Sequence, residues 1–270
     1  MQKMYNTLTL IIFLSLGLAA QNSNVIILNG TYEGDWKDGK MDGYGKAQMN
    51  DGSIYTGYWK NDQRNGTGRG GFRDGAAYYG DWKDDRMHGT GIYEFVNGDK
   101  YSGAFVNNEM HGLGTYTYAN GNRLIGEFVH DKITGSAKLY YSNGDVYEGN
   151  LINGTKVGKG KYTYRNGNVF EGYFASDKKE GFGKLSFANG DVYIGEFVNN
   201  NRTGKGTFIL AKGDKYEGDF LNGMMHGSGV YTWANGGNYK GTWSYNTCNR
   251  DARTQANDEG EKTLTENSGK

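Results

Sequence analysis

Three histidines, His88, His111 and His226, occupy the same place in a recurring segment, each after a methionine and before a glycine. Histidines at a fixed interval are one way to gather metal ligands, so a metal row is the first chemistry to weigh. If each recurrence adds two strands of about 4.8 Å each, His88 and His111 stand about 10 Å apart. Zinc holds its ligands at about 2 Å, so the two cannot share an ion. Turn packing is the expected role, and His130 reads the same way. The next candidates are carboxylates that could pair as general acid and base: Glu33, Asp35, Asp81, Glu127, Glu148, Glu171, Glu196, Glu217 and Asp219. They fall on the polar side of each recurrence beside Lys37, Lys83, Lys138, Lys161 and Lys184, where cross-strand ion pairs on a solvated face account for them. Asn-Gly-Asp segments such as Asn189 to Asp191 have the composition of calcium-binding β-roll loops, but those recur about every nine residues, and a hairpin turn suffices here. No Ser, His and Asp set is evident, and Gly45 and Gly68 lead into more strand rather than into a phosphate-binding helix. The expectation is a chain with no catalytic centre, no metal and no cofactor.

What positions these side chains is a repeat. Steps of 23 residues from Tyr32 reach Tyr55, Tyr78, Tyr101, Leu124, Tyr147, Phe170, Tyr193, Tyr216 and Tyr239 without an insertion. Glycine follows two residues later every time, from Gly34 to Gly241, and a large apolar residue two after that: Trp36, Trp59, Trp82, Phe105, Phe128, Leu151, Phe174, Phe197, Phe220 and Trp243. Further glycine columns run from Gly43 to Gly227 and from Gly52 to Gly236. Apolar and polar residues alternate with the two-residue period of a strand. A polar turn such as Lys37 to Asp42 separates the halves of a unit. Asn-Gly or Asp-Gly, as in Asn97-Gly98 and Asn143-Gly144, then closes it as a tight hairpin turn. Each unit is therefore a β-hairpin. Joined in series, the hairpins give an all-β fold: an elongated, single-layer antiparallel β-meander, solenoid-like in its repetition.

A lone sheet has no second layer to cover its apolar face, which explains why glycine accompanies the rings. A flat ring can lie over the bare backbone of a neighbouring glycine. Covering one ring contributes roughly 1.5 to 3 kcal/mol, against about 1 to 2 kcal/mol to order one backbone residue. One unit cannot fold alone, and stability must come from stacking.

The segments Tyr32-Glu33-Gly34-Asp35-Trp36, Gly43-Tyr44-Gly45 and Asp51-Gly52 resemble the MORN (membrane occupation and recognition nexus) repeat. The resemblance covers nine units and the start of a tenth, and implies a non-catalytic, twisted sheet with a groove of aromatics and glycines. It also implies membrane apposition, phospholipid contact, dimerisation and scaffolding of partners. Departures are Leu124 and Leu151 for aromatics, Ala137 for a second-strand glycine, and Gly70-Gly71 in unit two. They make unit five and its junction with unit six the least regular part.

The groove expected to bind a partner comprises Tyr32, Trp36, Tyr55, Trp59, Tyr78, Trp82, Tyr101, Phe105, Tyr116, Tyr118, Phe128, Tyr147, Tyr162, Tyr164, Phe174, Tyr193, Phe197, Tyr216, Phe220, Tyr239 and Trp243. An apolar stripe of this size marks a partner site unless the glycines absorb it and the rings are the core. A basic stretch, Lys156, Lys159, Lys161, Arg165, Lys178, Lys179 and Lys184, suits anionic lipid headgroups, with Glu148, Glu171, Asp177 and Glu180 interspersed. Open edges at Val25 to Leu28 and near Tyr239 to Trp243 invite a homodimer by sheet pairing.

The 46 glycines in 270 residues far exceed the usual ~7%, and the absence of proline keeps every ladder donor. A formal net charge of zero gives no basic surface for nucleic acid. Residues 1–20, with Lys3 and an apolar run from Leu8 to Leu18, read as a signal peptide. This points to a secreted, periplasmic or secretory-pathway protein, an uncleaved membrane-associated leader being the alternative. Residues 21–31 form a linker and opening strand, 32–243 the array, and 244–270 a polar tail expected to be disordered. The single cysteine, Cys248, falls in that tail and allows no internal disulfide. The expected function is a non-catalytic scaffold for a protein partner or a membrane surface. The alternative is a surface or cell-wall carbohydrate or choline binder, whose aromatic cages hold quaternary ammonium groups but whose repeats are shorter.

Overall fold

The computed structural model describes residues 24–249, so the leader, residues 21–23 of the linker and residues 250–270 of the tail lie outside the described residues. The described chain forms one open antiparallel sheet of 21 strands, beginning with β1 (Val25–Ile27), β2 (Gly30–Lys37) and β3 (Lys40–Met49) and ending with β20 (Asn238–Ser244) and β21 (Thr247–Asn249). Each strand pairs with those before and after it in sequence, as in a meander. No helix occurs among the described residues. The array continues past Trp243: a turn at Tyr245 and Asn246 leads into β21, which places Cys248 opposite Trp243. The tail expected from residue 244 thus contributes its first residues to the sheet, and β21 covers the end of the expected C-terminal edge, from Thr242 to Ser244.

The two kinds of turn are not distributed as the Asn-Gly pairs suggested. At Asn97-Gly98, Gly98 N donates to Phe95 O and Phe95 N to Asp99 O, so the glycine follows a longer turn and supplies the left-handed residue, φ 87°, that closes it. Two-residue turns lie instead at mid-unit, where Asn107 and Asn108 both take positive φ, 51° and 76°. Such a pair matches the right-handed strand twist, and Asn and Asp tolerate it best among non-glycine residues. These mid-unit turns are stapled to the preceding unit. Asp62 Oδ1 accepts from Met41 N at 2.8 Å, and Asp62 N donates to Met41 O at 3.0 Å. The same two bonds join Asn108 to Met87, Asp131 to Met110 and Asn200 to Lys179. On the other margin, Asp99 Oδ1 accepts from Ala119 N, and Asp145, Asp191 and Asp214 repeat the bond to Arg165, Ala211 and Ala234. The Gly-Asp pairs that close these units stitch one unit to the next.

Two further glycine columns have different causes. Within each hairpin the second strand carries extra residues: Gly103 faces Gly114, but Ala104 faces His111. The bulge bends the ribbon, and Gly112 takes φ 62° there. The column from Gly34 to Gly241 is instead a matter of space. Gly103 and Gly114 face one another beneath the Tyr101 ring, and a Cβ on Gly103 would lie 2.5 Å from the Tyr101 hydroxyl and 2.7 Å from Gly114 Cα. The hydroxyl donates to Ala104 O, at the bulge, at 3.1 Å. Tyr32, Tyr55, Tyr78, Tyr147, Tyr193 and Tyr216 make the same bond three residues ahead.

The rings interlock edge to face. Tyr32 meets Trp59, Trp59 meets Tyr55, and the series runs through Trp82, Tyr78, Phe105 and Tyr101 to Phe128 with centroids 4.9 to 5.5 Å apart. It resumes at Tyr147 and Phe174 and runs to Tyr216 and Trp243. Between the runs stand Leu124 and Leu151, both buried. The shorter Leu124 leaves room that Ile133 and Ala137 fill: a Cβ on Gly126 would lie 2.7 Å from Ile133 Cδ1 and 3.0 Å from Ala137 Cβ. At the same junction Gly154 has no side chain to accept from Ile133 N. Leu124→Tyr is expected to destabilise by about 1 to 3 kcal/mol, since the ring lands on Ala137. Ala137→Gly added to it should recover at least about 1 kcal/mol as a coupling term in a denaturation double-mutant cycle. Simple additivity would refute this account of unit five.

Candidate interaction surface

One face of the sheet is closed. Tyr32, Tyr55, Tyr78, Tyr101, Tyr147, Tyr193 and Tyr216 are at most 2% exposed, and Trp59, Trp82, Phe105, Phe128, Phe174, Phe197, Phe220 and Trp243 are also buried. Tyr116, Tyr118, Tyr162 and Tyr164 are half-buried against this core, as is Tyr239 at its C-terminal end. The supposed groove is thus largely filled by its own rings. Its one uncovered ring is Trp36, 42% exposed, over which no preceding unit lies among the described residues. Burial, then the Asp35 and Asp42 carboxylates, pushes the Tyr32 phenol up to about 12. Tyr116, Tyr162 and Tyr231 donate to Asp99, Asp145 and Asp214. For Asp214, burial alone would raise the carboxyl, but bonds from Lys212, Tyr231 and Ala234 N hold it below the usual range.

The opposite face is open. Its residues alternate with the ring-face residues, and among them Tyr44, Tyr58, Tyr79, Leu113, Tyr173 and Phe182 are exposed, Leu113 by 78% and Tyr79 and Phe182 by 60%. Tyr44 and Tyr58 pair across strands with centroids 5.4 Å apart. A hollow of about 530 Å³ lies between Tyr79, Ile92, Leu113 and the hydroxyls of Thr67, Thr90 and Ser102. Others of about 450 and 920 Å³ follow along the later units. Sequence reasoning missed these side chains because they sit among polar neighbours. Their signal is an apolar residue at the polar parity of a strand, as at Tyr79 beside Tyr78. Nowhere among the described residues do three or more His, Cys, Asp or Glu gather as a metal site.

The repeat unit itself decides the family. The MORN repeat pattern matches nine consecutive segments from 32–54 to 216–238. The chain belongs to the MORN repeat family. No curated protein matches it. Among solved structures, the G-box domain of the microcephaly protein CPAP aligns at 11% identity over 75% of this chain and 100% of that one, with a TM-score of 0.36. The TCP10c domain of Drosophila melanogaster Sas-4 aligns at 16% identity over 74% and 99%, with a TM-score of 0.29. Overlap this weak says nothing about what the MORN array binds.

The array also separates the basic stretch. Lys156 and Lys179 turn to the ring face, where Lys156 Nζ meets the Tyr141 hydroxyl at 3.0 Å and Asp177 at 3.1 Å, and Lys179 Nζ meets the Tyr164 hydroxyl. Burial alone would lower the Lys156 ammonium, yet its bonds to Tyr141 and Asp177 hold it above the usual value. Lys178 reaches Asn199 at a turn, and Arg165 lies in another turn. Only Lys159, Lys161 and Lys184 share one hollow, on the open face. The seven do not form a single patch. Strand alternation separates Lys178 from Lys179, and the bulge separates Lys156 from Lys159.

At the sheet edges, β1 covers Gly30 to Tyr32 of β2, and β21 covers Thr242 to Ser244 of β20. Beyond those short stretches, β2 after Tyr32 and β20 before Thr242 each keep an open strand edge among the described residues.

Proposed function

We propose that this MORN array is a non-catalytic scaffold that binds a protein partner along its open face. The observation that carries this reading is the division of the rings: those of the repeat signature are consumed as core, whereas Tyr79, Leu113 and Phe182 stand on the other face well exposed. Exposed apolar side chains in a row of hollows mark an interaction surface. A photo-crosslinking phenylalanine analogue placed at Tyr79 or Leu113 should give a protein adduct in the native host, and one at His130, on an exposed turn, should not. Adducts formed equally from the turn, or to lipid alone, would sink this reading. The two half-covered edges offer a second copy a place to add strands. The leader supports export of the chain, and mass spectrometry of the native N-terminus tests that, a mature start near residue 20 being the expected result.

A further inference from the structure

The open face changes character along the array. In the early units its apolar side chains stand among threonine and serine hydroxyls, with one basic residue in each of two strand pairs, Lys46 opposite Thr56 and Arg69 opposite Tyr79. In the later units the same rows carry more lysine. β13 (Thr155–Thr163) supplies Lys159 and Lys161, β14 (Val169–Ala175) supplies Glu171 and Tyr173, and β15 (Lys178–Ser186) supplies Phe182 and Lys184. Register places Lys159 opposite Tyr173, and Glu171 between Lys161 and Lys184. Phe182 lines this hollow and also the next, which adds Ile194, Lys205, Val230 and Lys240.

The two hollows form one trough with a backbone floor and an uneven charge. Five lysines (159, 161, 184, 205 and 240) and two glutamates (171 and 217) line it, and with Glu196 opposite Phe182 and Asp219 opposite Lys205 the balance is five minus four, or +1, in a chain of zero net charge. Lys161 lies 3.9 Å from Glu171, and Lys205 is held by Asp219. Lys159, Lys184 and Lys240 make no ion pair among the described residues. From β13 to β20 the trough crosses seven strand gaps, roughly 34 Å at about 4.8 Å each, which an extended segment of about ten residues spans. Exposed rings flanked by unpaired cations fit a segment that alternates apolar and acidic side chains.

On the reading that the open face docks protein, we infer that its later units bind an extended acidic segment of a partner, one apolar side chain packing between Tyr173 and Phe182 while carboxylates meet Lys159, Lys184 and Lys240. The test is fluorescence anisotropy of the full chain with a labelled synthetic decapeptide of aspartate, glutamate, phenylalanine and leucine. A lysine-substituted peptide of the same length and phosphatidylserine vesicles serve as the comparison probes. The acidic peptide should bind, and more weakly as salt rises. Phe182→Ala, and Lys159→Glu combined with Lys184→Glu, should each weaken it at least about tenfold, a loss expected when a central anchor or its charge partners are removed. Tyr79→Ala, on the same face in an early unit, should change it less than about twofold. The changed side chains are exposed, and unchanged thermal melts confirm that each variant folds. No binding of the acidic peptide, equal binding of the lysine peptide, indifference to both late-unit variants, or vesicle binding that the peptide does not compete overturns the inference. Adducts from Tyr79 and Leu113 would still stand in those cases, so failure here is separable from failure of the broader reading.

Discussion

Gly103→Ala is expected to cost about 3 kcal/mol or more and to unfold the array around its fourth unit, because the added methyl has nowhere to go. One of its neighbours, Gly114 Cα at 2.7 Å, is backbone in a paired strand, and the other, the Tyr101 hydroxyl at 2.5 Å, is held by its bond to Ala104 O. Two other glycines separate this cause from ordinary backbone strain. At Gly135 a Cβ would meet nothing within 4 Å, but the residue takes φ 79°, so Gly135→Ala should cost about 1 to 2 kcal/mol from the left-handed backbone alone. Gly71 has neither a positive φ nor a contact closer than Ile54 O at 3.9 Å, so Gly71→Ala should lie between neutral and about 1 kcal/mol stabilising. Urea denaturation of the three variants checks the order. If Gly103→Ala cost no more than Gly135→Ala, the first glycine column would need an explanation other than space.

The same series shows how much of the fold was legible from residues alone. Ring and glycine alternation in Tyr101, Gly103 and Phe105 specified the strand, its inward side and the meander, because a period of two leaves little choice. The turn types were less legible. Asn97-Gly98 and Asn107-Asn108 both suit left-handed residues, and only the hydrogen bonds distinguish a glycine that ends a long turn from a pair that makes a short one. Whether the rings lie open or closed depends on bending at bulges such as Gly112, a property of many units together. Lys178 and Lys179 are adjacent in sequence and on different sides of the sheet. The partner surface was least visible, because Phe182 between Gly181 and Gly183 reads like one more core ring until its parity is followed.

Alkali is expected to unfold the array cooperatively. Burial pushes the phenols of Tyr32, Tyr101, Tyr147, Tyr193 and Tyr216 from 10.0 up to about 12, and those of Tyr55 and Tyr78 higher still. An unfolded chain ionises near the unperturbed value, so between pH 10 and about 12 the unfolded state holds fewer protons than the folded one. Stability is then fully present below pH 10 and falls as pH rises toward the folded values, by about 1.4 kcal/mol per pH unit for each phenol that stays protonated in the fold. Each of these hydroxyls also donates at the bulge, as Tyr147 does to Asn150 O at 3.0 Å, so ionisation removes a donor and places a charge against a carbonyl. The melting temperature should be flat through neutral pH and drop steeply above pH 10, with phenolate absorbance and loss of the strand circular dichroism rising together. Phe170 has no hydroxyl, and Phe170→Tyr should stabilise the array at neutral pH by about 1 kcal/mol and steepen the alkaline fall. Phenolate signal that titrates near 10 while the strand signal persists would show that the rings ionise in place and are not the sealed core described here.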